Sequence, residues 1–232
     1  MRLSIVIPAL NEEKYLPRLL RSIHNQKYPC EVIVADSESE DMTSMIAQLY
    51  GAKIVRAPKG LPSYARNIGA RVAKGDVILF LDADVVLPKN FLIENVKEFE
   101  NKRLDVAGCY FRPLSNRIFD WVAIEIVANA WMFAVQSFSP NAFGAALFTK
   151  RITFEKLRGF DETITFAEDI NYTKIAFKKG WKFRMINKKA LVSMRRFDKE
   201  GRFWLTLKYI KLNVQEFFGA IRTDENYKFG EF

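Results

Sequence analysis

The sequence predicts an α/β protein built on a mostly parallel central sheet with helices on both faces. Three observations point there. Short β-branched runs alternate with amphipathic stretches through about the first 85 residues, the order expected of βαβ units. The run Val77–Leu81 is apolar without alternation, as a strand covered on both faces requires. Three of the runs end in polar clusters, and parallel strands gather those ends along the edge where ligands bind in open α/β sheets.

Taken in order, Leu3 to Pro8 is a β-branched strand that Pro8 is expected to stop, since proline cannot continue the ladder. Asn11-Glu12-Glu13 then opens a helix whose apolar positions Leu16, Leu19, Leu20 and Ile23 fall at helical spacing. Glu31–Ala35 is a second strand and runs into the acidic and hydroxyl cluster Asp36 to Thr43. A third short strand, Lys53–Arg56, leads through Pro58, Gly60 and Pro62 to a helix over Ser63–Ala73 that carries Arg66 and Asn67. The fourth strand empties into Asp82-Ala83-Asp84. Further on, Glu168-Asp169 precedes a helical run through Ile170, Thr173, Ile175 and Ala176.

Two later stretches are apolar in a different way. Trp121–Val135 is interrupted by Glu125 and Asn129 and falls short of the roughly 18–20 apolar residues of a membrane span. It reads first as an ordinary core helix, with an acceptor groove or a bilayer contact as alternatives. Arg202–Arg222 carries a stripe of Phe203, Leu207, Ile210, Val214, Phe217 and Ile221 beside Lys208, Lys211, Gln215 and Glu216. Packing on the domain is expected, and a membrane interface or a homodimer contact are the alternatives. The chain is accordingly divided into a domain over 1–200 and a C-terminal helix and tail over 201–232 packed on it.

Composition narrows the chemistry. Apolar residues make up 49% and aromatic residues 14%, enough for a sizeable core. Cys30 and Cys109 are the only cysteines, which sets aside a disulfide framework or a cysteine zinc site and fits a cytoplasmic location. His24, the single histidine, lies away from every strand end, so histidine catalysis is set aside too. The net charge is +9, from 36 Lys and Arg against 27 Asp and Glu. The excess is spread along the second half without a nucleic-acid motif, so nucleic acid is not an expected partner. A solvated basic surface is the default, with a membrane-facing or diphosphate-facing patch as the alternative. Ser4 to Ile7 already belong to the sheet, and no signal peptide is read ahead of the first strand.

Two carboxylates one residue apart repel each other, and burial helps them only when a cation sits beside them. A divalent metal clamped on a diphosphate would supply it. With histidine set aside, a carboxylate is the natural general base, and Asp161, Glu162, Glu168 and Asp169 are candidates. Glu168 and Asp169 also suit a first helical turn, where the helix dipole favours acids. Asp36 can accept a nucleobase N–H or cap a helix, and Arg66 can serve a substrate or an ion pair.

Ile5–Leu16, Asp36–Thr43, Ala65–Gly69, Asp82–Asp84, Gly159–Glu162 and Glu168-Asp169 stand in the order found in family 2 glycosyltransferases, which the chain resembles over residues 2–195. Its first 90 residues also resemble polyprenol-phosphate sugar synthases. The resemblance implies a GT-A fold, a three-layer α/β/α sandwich with a Rossmann-like sheet. It implies a UDP- or GDP-sugar donor, Mg²⁺ or Mn²⁺, and a hydroxyl or lipid-linked phosphate acceptor at the cytoplasmic face of a membrane or in solution. On it, Asp84 is the metal ligand, and Asp82 binds the same metal, its water or the ribose. Pro8, Ala9 and Glu12 line the ribose side, Arg66 lies near base or diphosphate, and Asp169 is the base of an inverting displacement with Glu168 positioning it. The chain departs from the pattern at Val86, where relatives often add a metal ligand, and at Ser193-Met194-Arg195-Arg196, where they often carry a histidine. Arg195 or Arg196 can neutralise diphosphate oxygens instead. A degenerate nucleotide-sugar-binding protein is the main alternative. A nucleotidyltransferase is disfavoured, because Pro8-Ala9-Leu10-Asn11 lacks the Gly-rich loop that grips a triphosphate.

Overall fold

The computed structural model describes residues 1–217. Seven strands form one sheet: β1 (Leu3–Ala9), β2 (Cys30–Asp36), β3 (Lys53–Arg56), β4 (Val77–Leu81), β5 (Val106–Pro113), β6 (Ala146–Lys150) and β7 (Phe183–Val192). Their order is β3-β2-β1-β4-β6-β5-β7. The first four strands run parallel, β6 is antiparallel to both β4 and β5, and β5 pairs parallel with β7. Helices α1 (Leu16–His24), α2 (Thr43–Leu49), α3 (Pro62–Val72) and α4 (Phe91–Asn101) flank the sheet. The mostly parallel α/β architecture is the one expected from the sequence.

The central strands explain the unbroken apolar runs. Every residue of β4 is buried, and so is every residue of β1. Across the sheet from β4, Phe80 meets Phe154 and Phe160 at ring centroid distances of 5.4 and 5.0 Å, and Tyr172 closes the cluster. Such aromatic pairs add to the area they bury through edge-to-face and tilted geometry.

Two local expectations change. Pro8 lies inside β1, opposite Ala35, rather than ending it. The ladder explains why. Ala9 points its carbonyl at β2, where it accepts the Ser37 amide at 2.8 Å, so Pro8 faces the β4 side. Pairing with β4 has already stopped at Val6, and the proline's missing donor has no acceptor to serve there. Helix α1 starts at Leu16, not at Asn11, because the chain first turns through a left-handed Asn11 (φ 54°). The Glu12 amide is given to Thr43 Oγ1 at 2.8 Å, which pins this turn against the loop after β2.

The apolar segment read as a core helix also differs. Ile118–Val135 is helical throughout, with wider π-helical turns over Val122–Ala128, and most of its large apolar side chains are exposed. Its polar residues face inward. Asn129 donates to the Phe111 carbonyl and accepts the Phe111 amide, and Asp120 accepts from Ser115 and Arg202. Arg202–Phe217 is helical, and Leu205 packs with Met194 and Phe197. Of the predicted C-terminal helix, residues 218–222, with Ile221, and the tail lie outside the described residues.

A single amide ties the loop after residue 158 to the first half of the chain. Asn67 on α3 donates to the Phe160 carbonyl at 2.9 Å and to Glu162 at 2.8 Å, and accepts the Phe160 amide at 2.9 Å. Gly159 beside it has φ +79°, and an added Cβ would lie 2.5 Å from the Asn67 carbonyl oxygen. Both the backbone angle and the space therefore require glycine there. Asn67→Ala strands a buried amide and carbonyl of Phe160, so chemical denaturation should show a loss of about 2–4 kcal/mol. A loss under about 0.5 kcal/mol, the low end for one hydrogen bond, would mean that the loop holds its place without this tie.

Candidate active site

The strand order brings the polar ends together. β1, β2 and β4 are neighbours, so their C-terminal ends deliver Glu12, Asp36, Asp82 and Asp84 to one edge of the sheet. β6 runs the other way, and its first residue, Ala146, pairs with Leu81 at the end of β4. The backbone just before β6 thereby reaches the same edge.

Arg66 sits at the centre of this edge and is buried. Its Nη2 lies 2.7 Å from Asp82 Oδ1, and its Nη1 pairs with Glu168 at the start of the helix Glu168–Lys178. Burial works against the guanidinium charge, but Asp82, Glu168 and Asp169 outweigh it and hold the pKa above its ordinary value. Gly144 makes room for this cation: an added Cβ would lie 2.6 Å from Arg66 Nη2.

Asp169 is placed by backbone rather than by a partner side chain. One oxygen accepts the Gly144 amide, and the other accepts the Ile170 amide at 2.7 Å. Burial raises its pKa well above the usual carboxylate range, and the neighbouring Glu168 carboxylate adds to the rise. Arg66 and the two amides oppose but do not cancel it. A half-buried carboxyl tuned upward, at a helix start and facing a cleft, has the character of a proton acceptor working near neutral pH.

A second cation organises the other carboxylates. Arg195 holds Glu12 through both oxygens, at 2.7 and 2.8 Å, and its Nε lies 2.9 Å from Asp84 Oδ2. The guanidinium carbon stands 4.4 Å from the Tyr15 ring centroid. Asp84 is buried enough that its pKa rises to about 7; burial is the main cause, Arg195 opposes it, and Asp82 and Glu12 add to it. Glu12 shifts upward as well, again through burial. Val86 supplies no ligand but pairs its backbone with Leu191.

Asp36 is buried and faces its own loop. It accepts the Ser39 hydroxyl and, at 2.7 Å, the Ser44 hydroxyl. Asp41 accepts the Thr43 amide at 2.9 Å at the start of α2.

A cleft of about 720 Å³ opens over this edge. Pro8, Glu12, Arg66, Asp82, Asp84 and Asp169 line its polar wall, together with Glu168 and Arg195. Ile124, Val127, Trp131, Phe143, Ile164 and Tyr209 are part of an apolar wall opposite. Ala9 and Asp36 are buried beyond the residues that line the cleft. The predicted residues thus meet at one sheet edge, six of them split between two arginine-centred groups. Sequence reasoning missed Gly144 as a positioning residue, and Tyr15 and Tyr209 as parts of the site. Tyr15 stands inside the Ile5–Leu16 motif, whereas Gly144 carries no local signal of its role.

Residues 4–189 match the family model of glycosyl transferase family 2. The chain belongs to that family. Among curated relatives, it is 39% identical over 101 residues to a 4,4'-diaponeurosporenoate glycosyltransferase of Staphylococcus haemolyticus, covering 40% of this chain and 27% of the relative. It is 27% identical to the poly(ribitol-phosphate) beta-N-acetylglucosaminyltransferase TarS of Staphylococcus aureus, over 82% of this chain and 35% of the relative. The chain therefore spans about a quarter to a third of the length of these two proteins. Among solved structures, TarS residues 1–349 in complex with UDP superpose with a TM-score of 0.69 at 22% identity, over 83% of this chain and 60% of that one. A mannosyltransferase of Pyrobaculum calidifontis in complex with GDP-Man and Mn²⁺ gives 0.68 at 24% identity, over 83% and 56%. The fold is GT-A, as other members of the family have it.

The raised Asp84 pKa has a measurable cost. A carboxyl whose folded pKa lies above its unfolded value of 3.8 keeps its proton longer when folded, so stability falls as pH rises from about 4 to about 7 and is level above that. Asp84→Asn removes this dependence while leaving Glu12 to hold Arg195. The variant should match wild type near pH 4 and exceed it by a few kcal/mol at pH 8, since each pH unit between the folded and unfolded pKa costs wild type about 1.4 kcal/mol. Thermal melts across that range check it; a variant less stable than wild type at pH 8 would mean that the Arg195 pair outweighs the burial of the charge.

Proposed function

We propose that the chain forms the donor-binding and catalytic part of an inverting, metal-dependent glycosyltransferase that uses a UDP- or GDP-sugar. The acceptor class is a hydroxyl or a lipid-linked phosphate. The observation that carries this reading is Asp169, a half-buried carboxyl with a raised pKa, oriented by two amides at the wall of a cleft that also holds Asp82 and Asp84. Membership of the family supports it, as do the relatives' nucleotide-bound complexes.

A divalent cation suits the residues present. Glu12, Asp82, Asp84, Glu168 and Asp169 set five carboxyl groups against the guanidiniums of Arg66 and Arg195, and an incoming diphosphate adds further negative charge. Carboxylate oxygens are the ligands that Mg²⁺ and Mn²⁺ prefer, and one or two suffice when a diphosphate completes the shell. Asp84 would hold the ion, with Asp82 beside it. When bound, such a cation offsets charge developing on the leaving diphosphate.

The remaining roles fall to the chain itself. Asp36, in a loop held by Ser39 and Ser44, accepts a base N–H, while Pro8, Ala9 and Glu12 bound the ribose side. Arg195, held by Glu12 through both oxygens, would be placed to pair with diphosphate oxygens. Arg66 holds Asp82 and Glu168 and so fixes the donor side against the acceptor side. Asp169 takes the acceptor proton as the acceptor oxygen bonds to the anomeric carbon. The bond from that carbon to the diphosphate breaks with its electron pair leaving on the diphosphate. One displacement of this kind inverts the anomeric centre.

A degenerate donor-binding protein is the second reading, and the Arg195–Asp84 pair favours it, because a guanidinium already occupies the oxygen a metal would take. Turnover separates the two. Asp169→Asn should lower kcat by about 10²- to 10⁴-fold, with UDP or GDP affinity nearly unchanged by calorimetry. Glu168→Gln should cost less. A dead Glu168→Gln enzyme beside a nearly normal Asp169→Asn enzyme would reverse the two roles, and retention of anomeric configuration would exclude the mechanism.

Mn²⁺ gives an independent check on the carboxylates. Mn²⁺ should raise the melting temperature of the wild-type nucleotide complex and leave the Asp84→Ala complex nearly unmoved. An equal rise in both would place the ion away from Asp84.

A further inference from the structure

Twelve of the nineteen large apolar side chains that the described residues leave exposed lie in two segments, residues 118–138 and 203–210. Ile118 is 82% exposed, Phe133 67% and Trp204 72%. The two segments are joined: Ile124 and Tyr209 pack on the cluster of Met194, Phe197 and Leu205. They also share the apolar wall of the active cleft, through Ile124, Val127 and Trp131 on one side and Thr206, Tyr209 and Ile210 on the other. The exposed face is therefore continuous with the mouth of the site. An apolar surface this concentrated is far from the scattered exposed residues that need no explanation.

We propose that this face seats on an anionic lipid bilayer, so that the cleft opens at the membrane surface toward a lipid-borne acceptor. This deepens the acceptor class named above and rests on that reading, although the membrane contact itself does not need turnover. The charges select the occupant. Arg112 stacks its guanidinium 5.2 Å from the Trp121 ring centroid, Arg117 is exposed at the start of the helix, and Lys208 and Lys211 follow Trp204 and Leu207 by one turn each. Between Arg202 and Lys211 there is no acidic residue. The acids of the first helix are turned away and neutralised: Asp120 is buried against Arg202, and Glu125 pairs with Arg112 and Lys189. Aromatic and aliphatic residues bordered by cations are the composition that lies in the interface of an anionic membrane.

The helix Ile118–Val135 is long and apolar enough to cross a membrane. Its inner side is fastened to the protein by the buried Asp120, which accepts from Ser115 and Arg202, and by Asn129, which bonds to both backbone groups of Phe111. A helix held in this way along the sheet lies in the membrane plane rather than through it.

The test is cosedimentation of the full chain with vesicles of phosphatidylglycerol and, separately, of phosphatidylcholine. The protein should pellet with the anionic vesicles at low salt and stay largely in solution with the zwitterionic ones. Brominated lipid should quench its tryptophan emission. The double variant Phe133→Glu, Trp204→Glu changes two exposed residues outside the cleft lining, and should weaken vesicle binding at least tenfold. Its melting temperature and slow hydrolysis of donor should match wild type. A wild-type protein that remains in solution with anionic vesicles, or a double variant that binds them equally well, overturns the proposal. So does sedimentation equilibrium that finds a dimer which the double variant dissolves, since a second copy would then cover this face. Vesicle binding without any sugar transfer would instead count against the catalytic reading alone.

Discussion

The buried guanidinium of Arg66 is the interaction on which the rest of the site depends. It bridges Asp82, at the end of a parallel strand, and Glu168, at the start of a helix 102 residues further along the chain. Without a cation there, three carboxyl groups would crowd one wall of the cleft, and their mutual repulsion would drive them to bind protons or move apart. With it, Asp82 and Glu168 are held as a connected pair, and Asp169 next to them has a raised pKa, chiefly through burial.

Room for this arrangement comes from small residues and amides rather than from strong bonds. Gly144 gives Arg66 its space and donates its amide to Asp169, so one residue serves both the cation and the base. Asn67 holds the loop at Phe160, and Phe160 in turn faces Arg66 with its ring centroid 5.7 Å from the guanidinium. Helix α3 therefore contributes two adjacent residues with different tasks. Arg66 organises charge, and Asn67 fastens the loop that shields it. This close dependence means that the site is assembled only in the folded chain, and that its buried charges lower stability in exchange for chemistry.

Arg195 forms the counterpart around Glu12 and Asp84. It comes from the far end of the chain and lies on Tyr15, with Glu12 gripping its fork from below. The bidentate Glu12 contact can persist while the single Nε contact to Asp84 is given up. The residue is thus anchored yet able to change one partner. The cleft joins this polar half to an apolar half that most folds would bury.

The sequence by itself determined the first four strands, because the apolar run of a buried parallel strand is a local pattern, and Val77–Leu81 needs no distant partner to be read; β5 and β7 were not read from it. It also determined which acids gather at one edge, since parallel strands share a direction. It could not decide where β1 ends, because Pro8 is tolerated only through the early end of the β4 ladder. Nor could it decide what covers residues 118–135, because hydrophobicity states a need for burial without naming the surface that meets it. The pairing of Arg195 with Glu12 spans 183 positions, and Asp169 is held in place by a glycine amide 25 residues away. Ion pairs and pKa shifts depend on distance and dielectric in three dimensions. Those quantities come into being only when the sheet has closed.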